Sequence, residues 1–377
     1  MIINKNVAKI EEIVKMFMNQ ISSLKKLDYK LYYSSIGIPD NIPLTLETNC
    51  LKDLSELCCG SDIGSEFFHQ LSQICHNLQS LAIRFGVKVS DGLNELITSQ
   101  NNLKSLSLSI YEQDVGYNWS NIIPNLTKHS NTLTKLYLSV NCDYLPLSFI
   151  SSFSNLHTIF LSYLDNFNYN FKALQYVDFP KLQTLKIPDD CPSPMYLIKF
   201  LEINGKHIEE IYIGDNDDGV DALSSSIAKF CPNLKRLSVL FGQGEIDILR
   251  DIFNKCQYLE SMVISHKEAC NLGEEEMLKV IAMHSPKNFY ELKYFYPELS
   301  PEDLESFFIN WKNRMSNKLL SLFIIKSNDY EINEDIMKVI KKYECLGVIK
   351  KFETKFDGDE EFILGFVKLL FVHYENS

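Results

Sequence analysis

One short pattern, L-x-x-L-x-L, recurs along this chain and constrains its fold more than any other feature. Repetition at a fixed period selects stacked repeat architectures over closed domains. Clear copies are Leu78-Leu81-Ile83, Leu103-Leu106-Leu108, Leu133-Leu136-Leu138, Leu156-Ile159-Leu161, Leu182-Leu185-Ile187, Ile208-Ile211-Ile213, Leu234-Leu237-Val239 and Leu259-Met262-Ile264. Weaker copies stand at Leu24-Leu27-Tyr29, Leu54-Leu57-Cys59, Phe289-Leu292-Tyr294, Leu319-Leu322-Ile324 and Ile349-Phe352-Thr354. The first positions of the thirteen copies lie 23 to 30 residues apart, as read along the sequence.

In each copy the second and third apolar positions alternate with polar ones, which predicts a short strand with one buried face. Two copies run on to an asparagine, Asn141 and Asn216, suited to bonding the backbone of the turn that leaves the strand. Between strands lie amphipathic helical patterns. Leu223, Ile227 and Phe230 share a face over Asp221–Phe230, and Ile248, Ile252 and Cys256 share one over Ile246–Cys256. Ser300-Pro-Glu-Asp303 opens another helix, with Ser as N-cap, Pro at the first helical position and acids in the first turn. Strand, turn and helix in every cycle give parallel strands with helices outside. The expected fold is an α/β leucine-rich repeat solenoid of about 13 units, with a concave parallel β-sheet and convex helices. It is expected to run as a single solenoid over 1–377, with an N-terminal cap and degenerate first unit over 1–50. Repeats would fill 51–355 and a C-terminal cap 356–377. Ile10, Ile13, Val14 and Phe17 would form the first cap and Phe362–Val372 the second.

Charge narrows the partners. There are 37 basic against 49 acidic side chains, a net charge of −12, which argues against a nucleic-acid partner that needs a basic stripe. The longest apolar run, Phe362–Val372, contains Lys368 and is about half the ~20 residues a membrane span needs. Lys5, Lys9, Glu11, Glu12 and Lys15 interrupt any export signal over Met1–Gln20. No membrane partner is expected, and the location expected is intracellular, cytoplasmic or nuclear.

Chemistry-bearing motifs are few. Of ten cysteines, Cys75, Cys231 and Cys256 each stand three residues before the first leucine of a repeat. A recurring cysteine at a recurring site reads as a small buried apolar side chain. No CxxC exists for zinc, and His69 and His76 fall on different faces. Asp215-Asn-Asp-Asp-Gly219 lacks the glutamate that would complete a calcium loop, and Asp357–Glu361 reads as the first turn of a last helix. Gly242-Gln-Gly244 is too short for a phosphate fingerprint. Asn118-Trp-Ser120 and Asn125-Leu-Thr127 match the glycosylation pattern, which without an export signal has no use. Cys58 or Cys59 with His69 could be drawn as a nucleophile pair, but nothing orients it, and the Cys58–Cys59 doublet reads as the end of a strand. The chain is expected not to be an enzyme, with no cofactor and no metal site.

What remains is the strand face that the repeats create. Its middle position reads Ala82, Ser107, Tyr137, Phe160, Lys186, Tyr212, Ser238, Val263, Lys293, Phe323 and Glu353. Tyr137, Phe160 and Tyr212 are large where small residues would serve, and Lys135, Lys186, Glu210 and Arg236 accompany them. Aromatics ringed by cations are the composition of a protein-binding hot spot. At ~4.8 Å between strands the three aromatics would span roughly 15 Å and suit an acidic or phosphorylated segment. The same aromatics could instead pack on each other across neighbouring strands.

The signatures Cys75-His-Asn-Leu-Gln-Ser-Leu81, Phe230-Cys-Pro-Asn-Leu-Lys-Arg-Leu237 and Ser285-Pro-Lys-Asn-Phe-Tyr-Glu-Leu292 resemble the ribonuclease-inhibitor-like leucine-rich repeats of fungal F-box proteins. The resemblance covers roughly Leu51 to the C-terminus. It implies a receptor that presents substrates to a ubiquitin ligase built on a Skp1–cullin scaffold. An F-box would open with a Leu-Pro-x-Glu-like helical module, and Met1–Tyr33 shows no such motif. Skp1 would therefore be a partner only where an F-box is supplied, and a stand-alone scaffold or inhibitor is the alternative expectation.

Overall fold

The computed structural model describes residues 16, 20–29, 49–86, 88–110, 119–139, 145–162, 170–188, 192–214, 220–241, 246–266, 274–295, 297, 299–314, 318–326 and 333–356. The two expected caps lie outside them except for Met16 and Phe356, as do Asn118, Asn141, Asn216, the Asp215–Gly219, Gly242–Gly244 and Asp357–Glu361 motifs, and Cys142, Cys191 and Cys270. Two compact units divide the chain, Met1–Asn166 and Phe167–Ser377. Both are built as α/β, leucine-rich-repeat-like solenoids whose strands are all parallel.

The first unit holds six strands: β1 (Lys26–Tyr29), β2 (Glu56–Gly60), β3 (Ser80–Phe85), β4 (Ser105–Ile110), β5 (Lys135–Ser139) and β6 (Thr158–Ser162). They pair in chain order, and the register sets Leu27, Leu57, Leu81, Leu106, Leu136 and Ile159 side by side. The second unit holds β7 (Thr184–Ile187), β8 (Glu210–Ile213), β9 (Arg236–Phe241), β10 (Ser261–His266), β11 (Glu291–Phe295), β12 (Leu320–Lys326) and β13 (Ile349–Phe356). There the aligned row is Leu185, Ile211, Leu237, Met262, Leu292, Leu322 and Phe352. Every one of these residues is the second position of the repeated pattern. Leu106, Leu136, Leu185 and Leu237 are all buried, none more than 2% exposed.

Register is held at the start of most strands by a shared carbonyl. Lys25 C=O accepts from the N–H groups of Ser55 and Glu56 at 2.9 and 3.0 Å, and Gln79 C=O from those of Lys104 and Ser105, both at 2.9 Å. The second unit repeats the device, with Glu209 C=O accepting from Lys235 N–H at 2.8 Å and Arg236 N–H at 3.0 Å.

The connections vary more than the strands. In the first unit α1 (Ser65–Ile74) and α2 (Asp91–Ser99) are regular, whereas α3 (Ile123–Thr127) is a single turn and Leu147–Ser152 is a 3-10 turn. The last lies in the shortest repeat, where a 3-10 turn covers more length per residue than an α-helix would. In the second unit α4 (Pro194–Asn204), α5 (Val220–Phe230), α6 (Ile246–Lys255), α7 (Glu274–His284), α8 (Pro301–Asn313) and α9 (Glu334–Cys345) intervene between strands. The α8 start follows expectation, since Ser300 Oγ accepts from Asp303 N–H at 3.0 Å. The buried stripe of α6 differs. It is Leu249, Ile252 and Phe253, followed by Cys256, and Ile248 is only half-buried. A stripe wide enough to cover the strands takes neighbours at i, i+3, i+4 and i+7, which turns Ile248 to its margin.

In five repeats a niche three or four residues before the first leucine holds a buried donor, and two of the three recurring cysteines stand there. Cys75 thiol donates to Leu54 C=O at 3.5 Å and Cys256 thiol to Cys231 C=O at 3.4 Å. Gln100 holds the same place, its Nε2 donating to Cys75 C=O at 2.8 Å while its Oε1 accepts from Leu78 N–H at 3.0 Å. One residue earlier in their repeats, His129 Nε2 bonds Ile97 C=O at 2.9 Å and Asn204 Nδ2 donates to Val177 C=O at 2.9 Å. The niche is thus a buried donor site aimed at the preceding repeat, more than the apolar filler expected. Burial pushes the Cys75 thiol up to about 11 and the Cys256 thiol to about 12, so both stay protonated.

Candidate functional site

Alternation along each strand puts one set of side chains in the core and the other on the opposite, open face. Of the seven residues expected to bind protein, Lys135, Tyr137 and Phe160 belong to the first unit and Lys186, Glu210, Tyr212 and Arg236 to the second.

In the first unit Tyr137 and Phe160 are opposite each other on β5 and β6, with ring centroids 6.0 Å apart. Phe160 is 0% exposed, so its ring serves packing and offers a ligand no surface. Tyr137 is half-buried and Lys135 exposed. The cross-strand packing alternative accounts for this pair.

In the second unit the expected polar residues do converge. Lys186 Nζ lies 2.8 Å from Glu210 Oε1, and Arg236 lies 3.6 Å from Glu210 Oε2. Lys186 and Glu210 are diagonal neighbours on β7 and β8, whereas Glu210 and Arg236 are direct partners on β8 and β9. Tyr212, half-buried, stands beside Lys186 in register. One carboxylate thus orients two cations next to an aromatic ring. Arg236 keeps over half its side chain exposed, so its fork of donors remains available to an acidic group.

A second grouping on the same kind of face was not singled out from the sequence. Phe323 on β12 has three lysine ammonium groups over its ring, from Lys351, Lys293 and Lys355, at 5.0, 5.6 and 5.9 Å from the centroid. Lys293 is its direct neighbour on β11, and Lys351 and Lys355 flank its β13 partner Glu353. Ile325 and Phe295 extend it into an apolar cluster outside the main core, and Phe323 itself is 7% exposed. Glu353 holds Lys351 at 2.7 Å and Glu291 holds Lys293 at 3.4 Å. The signal was present in the register, because residues two apart on the next strand reach a central ring from both sides.

The residues weighed for catalysis are separated by their contacts. His69, on α1, bonds Glu95 Oε2 at 2.7 Å and Gln73 Nε2 at 2.9 Å, and Glu95 holds its imidazole above its ordinary pKa. Cys59 is fully buried on β2, and burial keeps its thiol well above the usual range, with Cys58, Asp28 and Asp62 adding to the effect. Among the described residues no helix is long and apolar enough to cross a membrane. No protein-family model matches the chain, and no curated protein matches it.

Proposed function

We propose that this chain is a protein-binding leucine-rich repeat protein acting inside the cell, in the cytoplasm or nucleus, with the open strand face of its second unit as the recognition surface. The observation that carries the reading is the Lys186–Glu210–Arg236 group beside Tyr212. Charged and aromatic side chains line up there on successive strands, where a purely structural face needs only small ones. An acidic segment of a protein ligand would accept from Arg236 while resting on Tyr212. The resemblance to F-box leucine-rich repeat proteins extends this to substrate recognition for a Skp1–cullin ubiquitin ligase.

Two measurements test it. Proximity labelling in the native cell names candidate ligands, and each is then measured with purified protein. Replacing Tyr212 and Arg236 together by alanine should weaken the true ligand by about tenfold or more, as expected for hot-spot residues. Unchanged affinity would remove this face from the binding site. Co-purification with Skp1 tests the ligase role separately, and its failure would leave a scaffold or inhibitor.

A further inference from the structure

One register row crosses the open strand face of the second unit near the start of its strands. It runs Thr184, Glu210, Arg236, Ser261, Glu291, Ser321 and Lys351, each the direct partner of the next. Its two cations, Arg236 on β9 and Lys351 on β13, stand four strands apart, about 19 Å at ~4.8 Å per strand. The two ends of that span are built alike. Each cation keeps half or more of its side chain exposed, 57% for Arg236 and 50% for Lys351. Each is steadied by a carboxylate of the same face, Arg236 at 3.6 Å from Glu210 and Lys351 at 2.7 Å from Glu353. Each stands near an aromatic ring: Tyr212 lies two residues beyond Glu210 on β8, and the Lys351 ammonium is 5.0 Å from the centroid of Phe323. A guanidinium has five donors and an ammonium three, so either can take an acceptor from a ligand while keeping its own carboxylate.

Between the two cations the row is low and polar. Ser261 and Ser321 are small and buried, at 6% and 7% exposed. Glu291, midway, accepts from Ser261 Oγ at 2.7 Å and lies 3.4 Å from Lys293. Its carboxylate repels an acid placed over the middle of the span. The row therefore favours two separated acids over a continuous acidic tract. An extended chain covers about 19 Å in roughly six residues, and an even count points both side chains to one side. A helix needs about 13 residues for the same distance, and residues so spaced fall on different sides of it.

We propose that the second unit reads an extended segment of a protein ligand at two points, with acidic residues six apart seated on Arg236 and Lys351. The segment crosses the strands, and Glu291 sets the stretch between its acids as non-acidic. The proposal rests on the strand-face reading above and adds to it a second anchor, a spacing and a direction.

The test uses the full chain and fluorescence anisotropy at fixed ionic strength. The probes are labelled eleven-residue peptides in a serine and threonine background. They carry one glutamate, two glutamates three, six or nine residues apart, or glutamate throughout. The six-residue spacing should bind about tenfold tighter than the single glutamate and the other two spacings, the factor expected of one added charge-assisted contact. Arg236→Ala and Lys351→Ala should each remove that gain, while Lys341→Ala, exposed on α9, leaves it. Arg236→Gln and Lys351→Gln, checked for unaltered melting curves, serve where an alanine variant folds poorly. Where only one of the two changes removes the gain, the two-anchor proposal falls and the strand face stands as a binding surface. Indifference to both changes would overturn the proposal and the strand-face reading together. No preference for the six-residue spacing, or tightest binding by the all-glutamate peptide, would show attraction by charge alone and overturn the proposal.

Discussion

The thiol of Cys256 donates to the carbonyl oxygen of Cys231, 3.4 Å away, so one niche in successive repeats is joined donor to acceptor. Gln100 makes the equivalent bond to Cys75 C=O and adds a reciprocal one from Leu78 N–H. Its amide therefore satisfies a backbone donor and a backbone acceptor that are both buried. Replacing Gln100 by leucine keeps the volume and removes both partners. Urea unfolding should show a loss of about 1–3 kcal/mol, the cost of buried polar groups left unpaired. A loss below ~0.5 kcal/mol would mean that water or relaxation replaces the amide.

Leu185 tests the frame itself. It is 0% exposed at the first position of the second unit's aligned row, and Leu185→Ala should cost about 2–5 kcal/mol by chemical denaturation. Repeats contact mainly their neighbours, so hydrogen exchange should accelerate most around β7 and β8. Uniform acceleration throughout the second unit would show that it unfolds as one cooperative block.

Two glycines separate crowding from backbone strain. A Cβ on Gly205 would meet Phe230 O at 2.7 Å and Cys231 Sγ at 2.9 Å, so Gly205→Ala must push the next repeat away. Gly347, at φ +68° after α9, has nothing within 4 Å, and its substitution meets only the left-handed backbone penalty. Gly347→Ala should cost about 1–2 kcal/mol and Gly205→Ala about 1–3 kcal/mol. Replacing Cys231 by alanine should relieve part of the Gly205→Ala loss and none of the Gly347→Ala loss. A double-mutant cycle decides between them.

His129 makes stability depend on pH. Burial holds its imidazole below the ordinary 6.5, outweighing the bond to Ile97 C=O, which acts the other way. The unfolded chain then takes up the proton first. The contribution is full above pH 6.5 and falls as pH drops below it, until the folded imidazole also protonates. His69 acts with the opposite sign because Glu95 raises it, so the informative comparison is wild type against His129→Gln. The variant keeps a donor for Ile97 C=O and should show a shallower loss of melting temperature below pH 6.5. Identical pH profiles would exclude His129 as the titrating group.

Phe160 and Tyr212 looked alike in the sequence and differ in the structure. Phe160→Ala should lower stability by about 3–5 kcal/mol, as for a buried ring, with the melting temperature as readout. Tyr212→Ala, at a half-buried position, should lose clearly less. Equal losses would return Tyr212 to a packing role.

These contrasts mark what was legible beforehand. Strand register follows from apolar spacing alone, because a one-residue slip would turn each leucine out of the core, and Leu27 through Phe352 stand where the spacing puts them. Side-chain exposure on the other face was not legible. Alternation says which side Phe160 takes and nothing about what lies over it. The donor niche was hidden because Cys, Gln, His and Asn perform one task with different side chains and a one-residue offset. The lysines around Phe323 became visible only when three strands were aligned, since each is unremarkable within its own repeat.

The shared carbonyl at most strand entrances also bears on how such an array lengthens. Lys25 C=O and its successors set the phase of the next strand within two residues, as the chain returns from its excursion. Segments added or removed on that excursion leave the phase intact, which is how spacings of 23 and 30 residues coexist in one ladder. A single residue inserted between the first leucine and its strand would instead exchange the two faces of that repeat. Duplication and drift are therefore free on the helical side and forbidden at the entrance, and new binding specificities in such chains should arise by whole-repeat gain or by point changes on the open face.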